Sequence, residues 1–434
     1  MYKAPDGGWG WVVTFVAFMI GLILDGISFS FGILFKHLLV YFNESKSLTS
    51  WIISVFNGIY PGIGPVSSIL VSAFGMRKVA IFGALLASAS FFLCTFCPNV
   101  QLMIIVYGLL GGFGLGLLYL PAMVLVGHYF TKKRALASGI ACCGSGVGGF
   151  VFAPLMEYLI SVYSWKGAMW VVSAIVLNGV PLGALLRPLE VVEKEVALDE
   201  AREKKEDSKI NCCGDISKMF DFDLLKSPTF LIYGLSCFFC MLGFYIPFYF
   251  IPDLAEEFGV TSQEGAWLIS IIGILNTVTR VAAGWLADRS WADPTKINGV
   301  LLTLCGIATL FVPKYSNYGV MATYCAFFGI CIAVFVSYRP IITSKLLGIE
   351  KLASSFGLVC MCQGLASLIG APIAGALSDS AGDYNGAFYL AGAAIGMSGL
   401  ICLPLNSVNR WERRQTSPTE NAIFNRSIEI STKL

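Results

Sequence analysis

Charge is what this sequence has least of. Asp, Glu, Lys and Arg together fill 13% of its 434 positions, against roughly 25% in a soluble globular chain, while hydrophobic residues fill 56%. A water-soluble surface cannot be built from so little charge, so a soluble protein is excluded, and a mean hydropathy of +0.74 places the chain in the membrane. Histidine is nearly missing: His37 and His128 both fall near predicted interfaces, which argues against a buried His proton relay. The net charge of +2 is not gathered on one face, which removes nucleic acid as a partner. No nucleophile–base pair, P-loop or metal-ligand set appears. The chain is therefore not expected to be an enzyme or to hold a cofactor or metal, and any work it does must be driven by gradients. No removable signal peptide is visible, because the first apolar run is too long and lacks a basic leader.

Long apolar runs are what remains. Stretches near the roughly 20 residues needed to cross hydrocarbon occur at about 10–35, 50–73, 78–97, 101–126, 134–157 and 166–187, then at 228–252, 264–288, 297–313, 317–340, 352–377 and 386–406. The pattern predicts an all-α membrane protein with twelve transmembrane helices in two six-helix bundles. The expected units are an N-terminal bundle (1–187), a cytoplasmic linker (188–227), a C-terminal bundle (228–406) and a cytoplasmic tail (407–434).

Lys and Arg asymmetry sets the orientation. With both termini cytoplasmic, the inner segments hold Arg77, Lys78, Lys132, Lys133, Arg134, the eight basic residues from Arg187 to Lys226, Arg289, Lys296, Lys345, Lys351 and the basic tail; the outer loops hold only Lys36, Lys46, Lys166 and Lys314. The reverse topology would violate the positive-inside rule. Asn43-Glu44-Ser45 then becomes an outer glycosylation acceptor candidate. The linker, with Glu190, Glu193, Lys194, Glu195 and further alternating charges, reads as a solvated connector. Basic residues from Arg410 to Arg414 read as an anchor to anionic lipid.

Some motifs have plainer explanations than their appearance suggests. Gly111–Gly116 and Gly144–Gly149 resemble nucleotide loops but lie inside apolar helices with no preceding strand, so close packing through small residues is the better account. Cys94 and Cys97 lack His or carboxylate companions and read as packing thiols. Cys212-Cys213, beside the membrane, is a candidate acylation site, with an unmodified pair as the alternative. Asp25 is different. A carboxylate at hydrocarbon depth costs roughly 2.5–3.5 kcal/mol on insertion scales, so it must face a polar cavity or a cation.

The opening Pro5-Asp6-Gly7-Gly8-Trp9-Gly10-Trp11, the segment Gly127–Gly149, Ser164–Gly167 and Arg187-Pro188 resemble the monocarboxylate transporter family of the major facilitator superfamily, over essentially Pro5 to Pro404. The resemblance implies two six-helix halves around a central cavity, alternating access across the plasma membrane, and a small organic anion as substrate. It also allows protons as a coupled ion and a single-span immunoglobulin-like ancillary glycoprotein as partner. By the same resemblance, Arg77, Lys78, Lys132, Lys133, Arg134, Asp288 and Arg289 fall where inner-gate contacts form. Positive-inside anchoring explains the basic residues equally well.

In acid-coupled members a first-helix Lys works with an Asp and an Arg on the eighth helix. Arg280 matches that Arg, Asn276 stands where the Asp would be, and Phe29 stands at the Lys position. Proton coupling and a lactate-like substrate therefore do not carry over directly. Asn276 and Arg280 share a helix face at i and i+4, and Asp25 shares the face of Phe29. Asp25 and Arg280 fall at similar depth and are expected partners, with Asp25 as the coupling residue. Arg339 is a second buried cation, either a substrate contact or an arginine reaching inward along its stem. Gln363, Tyr60, Tyr119, Tyr245 and Tyr338 are secondary cavity candidates. The functions in play are a carrier of small monocarboxylates or related anions, an uncoupled carrier of aromatic amino acids or creatine-like zwitterions, and a non-transporting sensor or scaffold. Without the family's Lys and Asp, the pocket is expected to admit larger or more apolar carboxylates.

Overall fold

The computed structural model describes residues 6–130, 134–187, 227–287, 289, 292–347 and 352–415. Residues 6–187 are called the N-terminal half below and residues 227–415 the C-terminal half; nearly all of the expected linker, and the tail beyond 415, lie outside the described residues.

Apolar side chains leave backbone N–H and C=O groups no partner but each other, so the chain is helical wherever it crosses the apolar layer. The N-terminal half runs through α1 (Trp9–Phe29), α2 (Phe31–Phe42), α3 (Lys46–Gly62), α4 (Gly64–Phe74), α5 (Met76–Leu93), α6 (Val100–Met103), a π-type stretch (Ile104–Gly111), α7 (Gly112–Tyr129), α8 (Arg134–Leu177) and α9 (Gly179–Leu185). The C-terminal half holds α10 (Pro228–Phe244), α11 (Ile246–Glu257), α12 (Ser262–Ala287), α13 (Pro294–Leu310), α14 (Tyr318–Leu347), α15 (Leu352–Ala381), α16 (Asn385–Cys402) and α17 (Leu405–Gln415). Local chemistry fixes several starts. Ser45, Ser227 and Asp293 each accept a backbone N–H of the turn they precede, the latter two ahead of Pro228 and Pro294.

Among the described residues, nine segments are long and apolar enough to cross a membrane. The shortfall from twelve falls at three places. A 44-residue α8 would be about 66 Å long, twice the hydrocarbon thickness. It is broken at Ser164, whose φ of 59° and ψ of 172° are non-helical, yet Leu136–Leu185 counts once. Lys46–Phe74 changes helix at Ile63, and α13 has only 17 residues.

Within the N-terminal half α1 packs on α8 and α5 on α7; within the C-terminal half α13 and α10 pack on α16. The halves meet where α8 crosses α12, α3 crosses α15 and α2 meets α11. The Gly144–Gly149 segment is helical, as packing predicts. A Cβ on Gly273 of α12 would come 2.7 Å from the Gly146 carbonyl of α8, so only glycine permits this approach. Matching polar pairs tie each half internally: Ser88 to Ser173 (Oγ–Oγ 3.2 Å) and Ser236 to Ser398 (3.1 Å).

Close packing makes a direct prediction. At Gly306 of α13 an added Cβ meets the Gly392 carbonyl at 2.6 Å and the Gly396 backbone, whereas at Gly139 nothing lies within 4 Å. Gly306→Val should lower stability by about 1–3 kcal/mol through overpacking. Thermal unfolding of the purified protein should show a lowered midpoint for Gly306→Val and an unchanged one for Gly139→Ala.

Candidate functional site

Arg280 sits on α12 where that helix crosses α8 of the other half, and its guanidinium is held on three sides. Nε donates to Asn276 Oδ1 at 2.7 Å, one turn back on the same face. Nη1 donates to the Cys142 carbonyl at 2.9 Å and Nη2 to Ser145 Oγ at 3.2 Å. Asp25 lies near the same Ser145, and its carboxylate feels the charges of Arg280 and Arg339. The expected direct Asp25–Arg280 ion pair is not formed among the described residues. The physical reason is local: Arg280 turns its donors onto Asn276 of its own helix and onto Cys142 and Ser145 of α8.

Around this centre the two halves present a ring of polar side chains. Tyr60 on α3 lies near Tyr245 of the other half, and Tyr119 lies close enough to feel Asp25, Arg280 and Arg339. Arg339 on α14 donates to Gln363 Oε1 on α15, while its carbonyl accepts from Tyr233 at 3.3 Å. Asp25, Tyr60, Tyr119, Cys142, Arg280 and Arg339 are all partly buried and keep some accessible surface. Tyr338 is fully buried and does not join them.

Phe29, expected in the binding pocket, packs differently. Its ring stacks on Phe248 of α11 at 4.4 Å and 12°, and it is 5% exposed. Phe31 meets Tyr249 edge-on at 5.9 Å and Phe35 meets Phe250 at 5.6 Å, so α2 and α11 form an aromatic seal. A polar ladder backs it: Ser28 donates to Asn57 Oδ1 at 2.7 Å, and Asn57 donates to the Tyr249 hydroxyl. Beyond the seal Lys36 pairs with Glu256 at 2.5 Å, and Asp379 of α15 accepts the Lys46 and Ser47 N–H groups at the start of α3, both at 2.9 Å. Each of these joins the two halves. The two halves are therefore tied together at the end away from the termini.

Of the expected gate residues, Arg77, Lys78 and Arg289 lie at the opposite end. Arg77, Lys78 and Arg289 are exposed; Lys132, Lys133 and Asp288 lie outside the described residues, as does the side chain of Arg134. The structured acid here is Asp293, which the sequence reading passed over although Asp-Pro before a helix is a capping signal. It accepts from Lys345 at 3.0 Å and from Asn406 at 2.7 Å, both in its own half. Ser145, Cys142, Glu256 and Asp379 were also missed. Ser145 sits in a glycine-rich run that reads as packing, and the other contacts join residues far apart in the chain.

The sequence pattern of the Major Facilitator Superfamily matches residues 11–359 and 233–430. Monocarboxylate transporter 3 of Gallus gallus is 33% identical, covering 92% of this chain and 78% of its own. Monocarboxylate transporter 12 of Xenopus laevis is 31% identical over 94% and 91%. The chain belongs to the monocarboxylate transporter family. It is thus a multi-pass membrane protein and a secondary transporter, not an enzyme. Among solved structures, a peptide transporter POT in complex with sulfate superposes with a TM-score of 0.68 at 16% identity, covering 94% of this chain and 97% of that one. A D-xylose-proton symporter gives 0.68 at 15%, covering 91% and 97%. At such identities these two speak for the fold alone.

The seal around Phe29 can be tested in this transporter without a substrate. Phe29→Ala removes a buried ring that stacks across the halves, a truncation that costs about 3–5 kcal/mol in a core. Amide hydrogen exchange in α2 and α11 should speed up and the thermal midpoint should fall. Unchanged exchange in both helices would show that Phe29 does not hold the seal.

Proposed function

We propose that the chain carries small monocarboxylates or related organic anions across the plasma membrane by alternating access, with twelve spans in two six-helix bundles and both termini cytoplasmic. One observation carries the substrate class: a guanidinium between the halves with donors to offer. Arginine has five N–H groups. Three are engaged, by Asn276, Cys142 and Ser145, which leaves one on each Nη, the fork that a carboxylate accepts. The relatives' printed names, monocarboxylate transporters, support the same class. Arg339 and the Tyr60–Tyr119–Tyr245 wall are the remaining contacts in this reading, and the absence of the family's Lys and Asp favours acids larger or more apolar than lactate. Lys and Arg asymmetry supports the orientation. A single-span immunoglobulin-like glycoprotein as ancillary partner follows from the family resemblance.

Arg280→Lys keeps the charge and loses the planar fork. Uptake across a panel of aliphatic and aromatic carboxylates should fall at least about tenfold while the protein still reaches the membrane, because a charge-assisted bond contributes roughly 1.5–3 kcal/mol. Normal uptake by a delivered Lys variant would remove Arg280 from the binding site.

Asp25 is the proposed coupling residue. The empty cavity balances two arginines against one carboxylate. An incoming carboxylate takes up the positive potential of Arg280, and a carboxylate in a low-dielectric site that loses its cation favours its protonated form. One anion and one proton then cross together without net charge. Uptake should rise as external pH falls, and Asp25→Asn should abolish that acid stimulation while substrate exchange persists. The presence of both charge signs in the cavity favours one alternative, an uncoupled carrier of aromatic amino acids or creatine-like zwitterions, with Asp25 receiving the cationic group. Uptake indifferent to pH in the unaltered protein, together with uptake of such zwitterions, would select it.

A further inference from the structure

At the end away from the termini two buried carboxylate oxygens, Glu157 Oε2 and Asp253 Oδ1, make no hydrogen bond among the described residues, and of the two side chains Asp253 is held through its other oxygen, by the Tyr384 hydroxyl at 3.0 Å. Lys36 on α2 directs its Nζ to Glu256 Oε1 at 2.5 Å and to Ser262 Oγ at 2.9 Å, both in the C-terminal half, and Ser262 also donates to Glu256. Glu157 lies on α8, in the same half as Lys36, and α2 packs along α8. Its Oε2 is buried and makes no hydrogen bond among the described residues. Lys36 and Glu256 both lie near enough for their charges to act on this carboxylate, the one attracting and the other repelling it. His37, the neighbour of Lys36, and Asp253 of α11, which feels Lys36 and Glu256, are further titratable groups in the cluster.

We propose that Lys36 exchanges partners as the transporter moves: Glu256 when this end is closed, Glu157 when it opens. Separating the halves carries Glu256 and Ser262 away and leaves a half-buried ammonium without acceptors. Glu157 travels with Lys36, and the four-carbon lysine stem lets the ammonium swing to it. The carboxylate left behind in the open state is Glu256, whose side chain is already 34% exposed and is readily hydrated. Each state therefore contains one ion pair, and breaking the cross-half bond is offset by a new one within the N-terminal half. A carrier needs its two states close in energy, because a deep well for either one stops the cycle.

The exchange makes opposite predictions for two similar substitutions. Glu256→Gln removes the closed-state partner, so amide hydrogen exchange over residues 36–48 and 253–263 of the purified full chain in lipid nanodiscs should speed up about fivefold. Glu157→Gln removes the open-state partner, so exchange in the same segments should slow by a similar factor. In a Lys36→Gln background Glu157→Gln should change nothing, and the thermal midpoints show that each variant is folded. Faster exchange in Glu157→Gln, no change when Lys36 is present, or an effect that survives in Lys36→Gln would each overturn the proposal. The measurement needs no substrate, so its failure is separate from a failure of the carboxylate assignment.

Discussion

A guanidinium in the middle of a membrane protein must be surrounded by acceptors, and much of this structure follows from supplying them. Arg280 cannot lose its proton, and lipid offers it nothing. The fold answers with a side-chain amide one turn away, a backbone carbonyl on the facing helix and a serine hydroxyl beside it. Reaching that carbonyl requires α12 and α8 to lie very close, which is why Gly146 and Gly273 face each other at their crossing. The charge thus determines the packing of the two halves at the centre, and the packing in turn fixes the charge between them.

The rest of the contact between the halves divides by chemistry along the molecule. Next to the polar centre is a layer of aromatic rings, in which Phe29, Phe31 and Phe35 meet Phe248, Tyr249 and Phe250. Outside that layer come ions and a helix cap, Lys36 with Glu256 and Asp379 with the start of α3. Rings exclude water and tolerate sliding, whereas ion pairs and caps are directional. A contact of this composition excludes water while resting on few directional bonds.

Much of the fold was legible in the sequence because hydrophobic length is a strong, local signal. The described helices fall close to the apolar runs, and uncertainty concentrates where a signal is weak, as at the single residue Ser164 inside a continuous apolar stretch. The site was legible in part. The Asn276–Arg280 pair is an i, i+4 relation and could be read directly. Asp25 could be marked as costly, but its neighbour could not be chosen, since Ser145 hides in a run of glycines. Phe29 was placed in the pocket by alignment with a charged residue; a phenyl ring has no polar group to offer a cavity, and here it lies on Phe248. Lys36 with Glu256 joins positions 220 residues apart, and nothing local announces it.

The cap on α3 has a consequence of its own. Ser45 caps this helix from within, but two further N–H groups at its start are satisfied by Asp379, which belongs to the other half. The positive end of the helix dipole is thus neutralised by a borrowed carboxylate. Such an arrangement is screened over a Debye length of about 8 Å at physiological ionic strength. The strength of this bond between the halves therefore depends on the salt in the fluid around it.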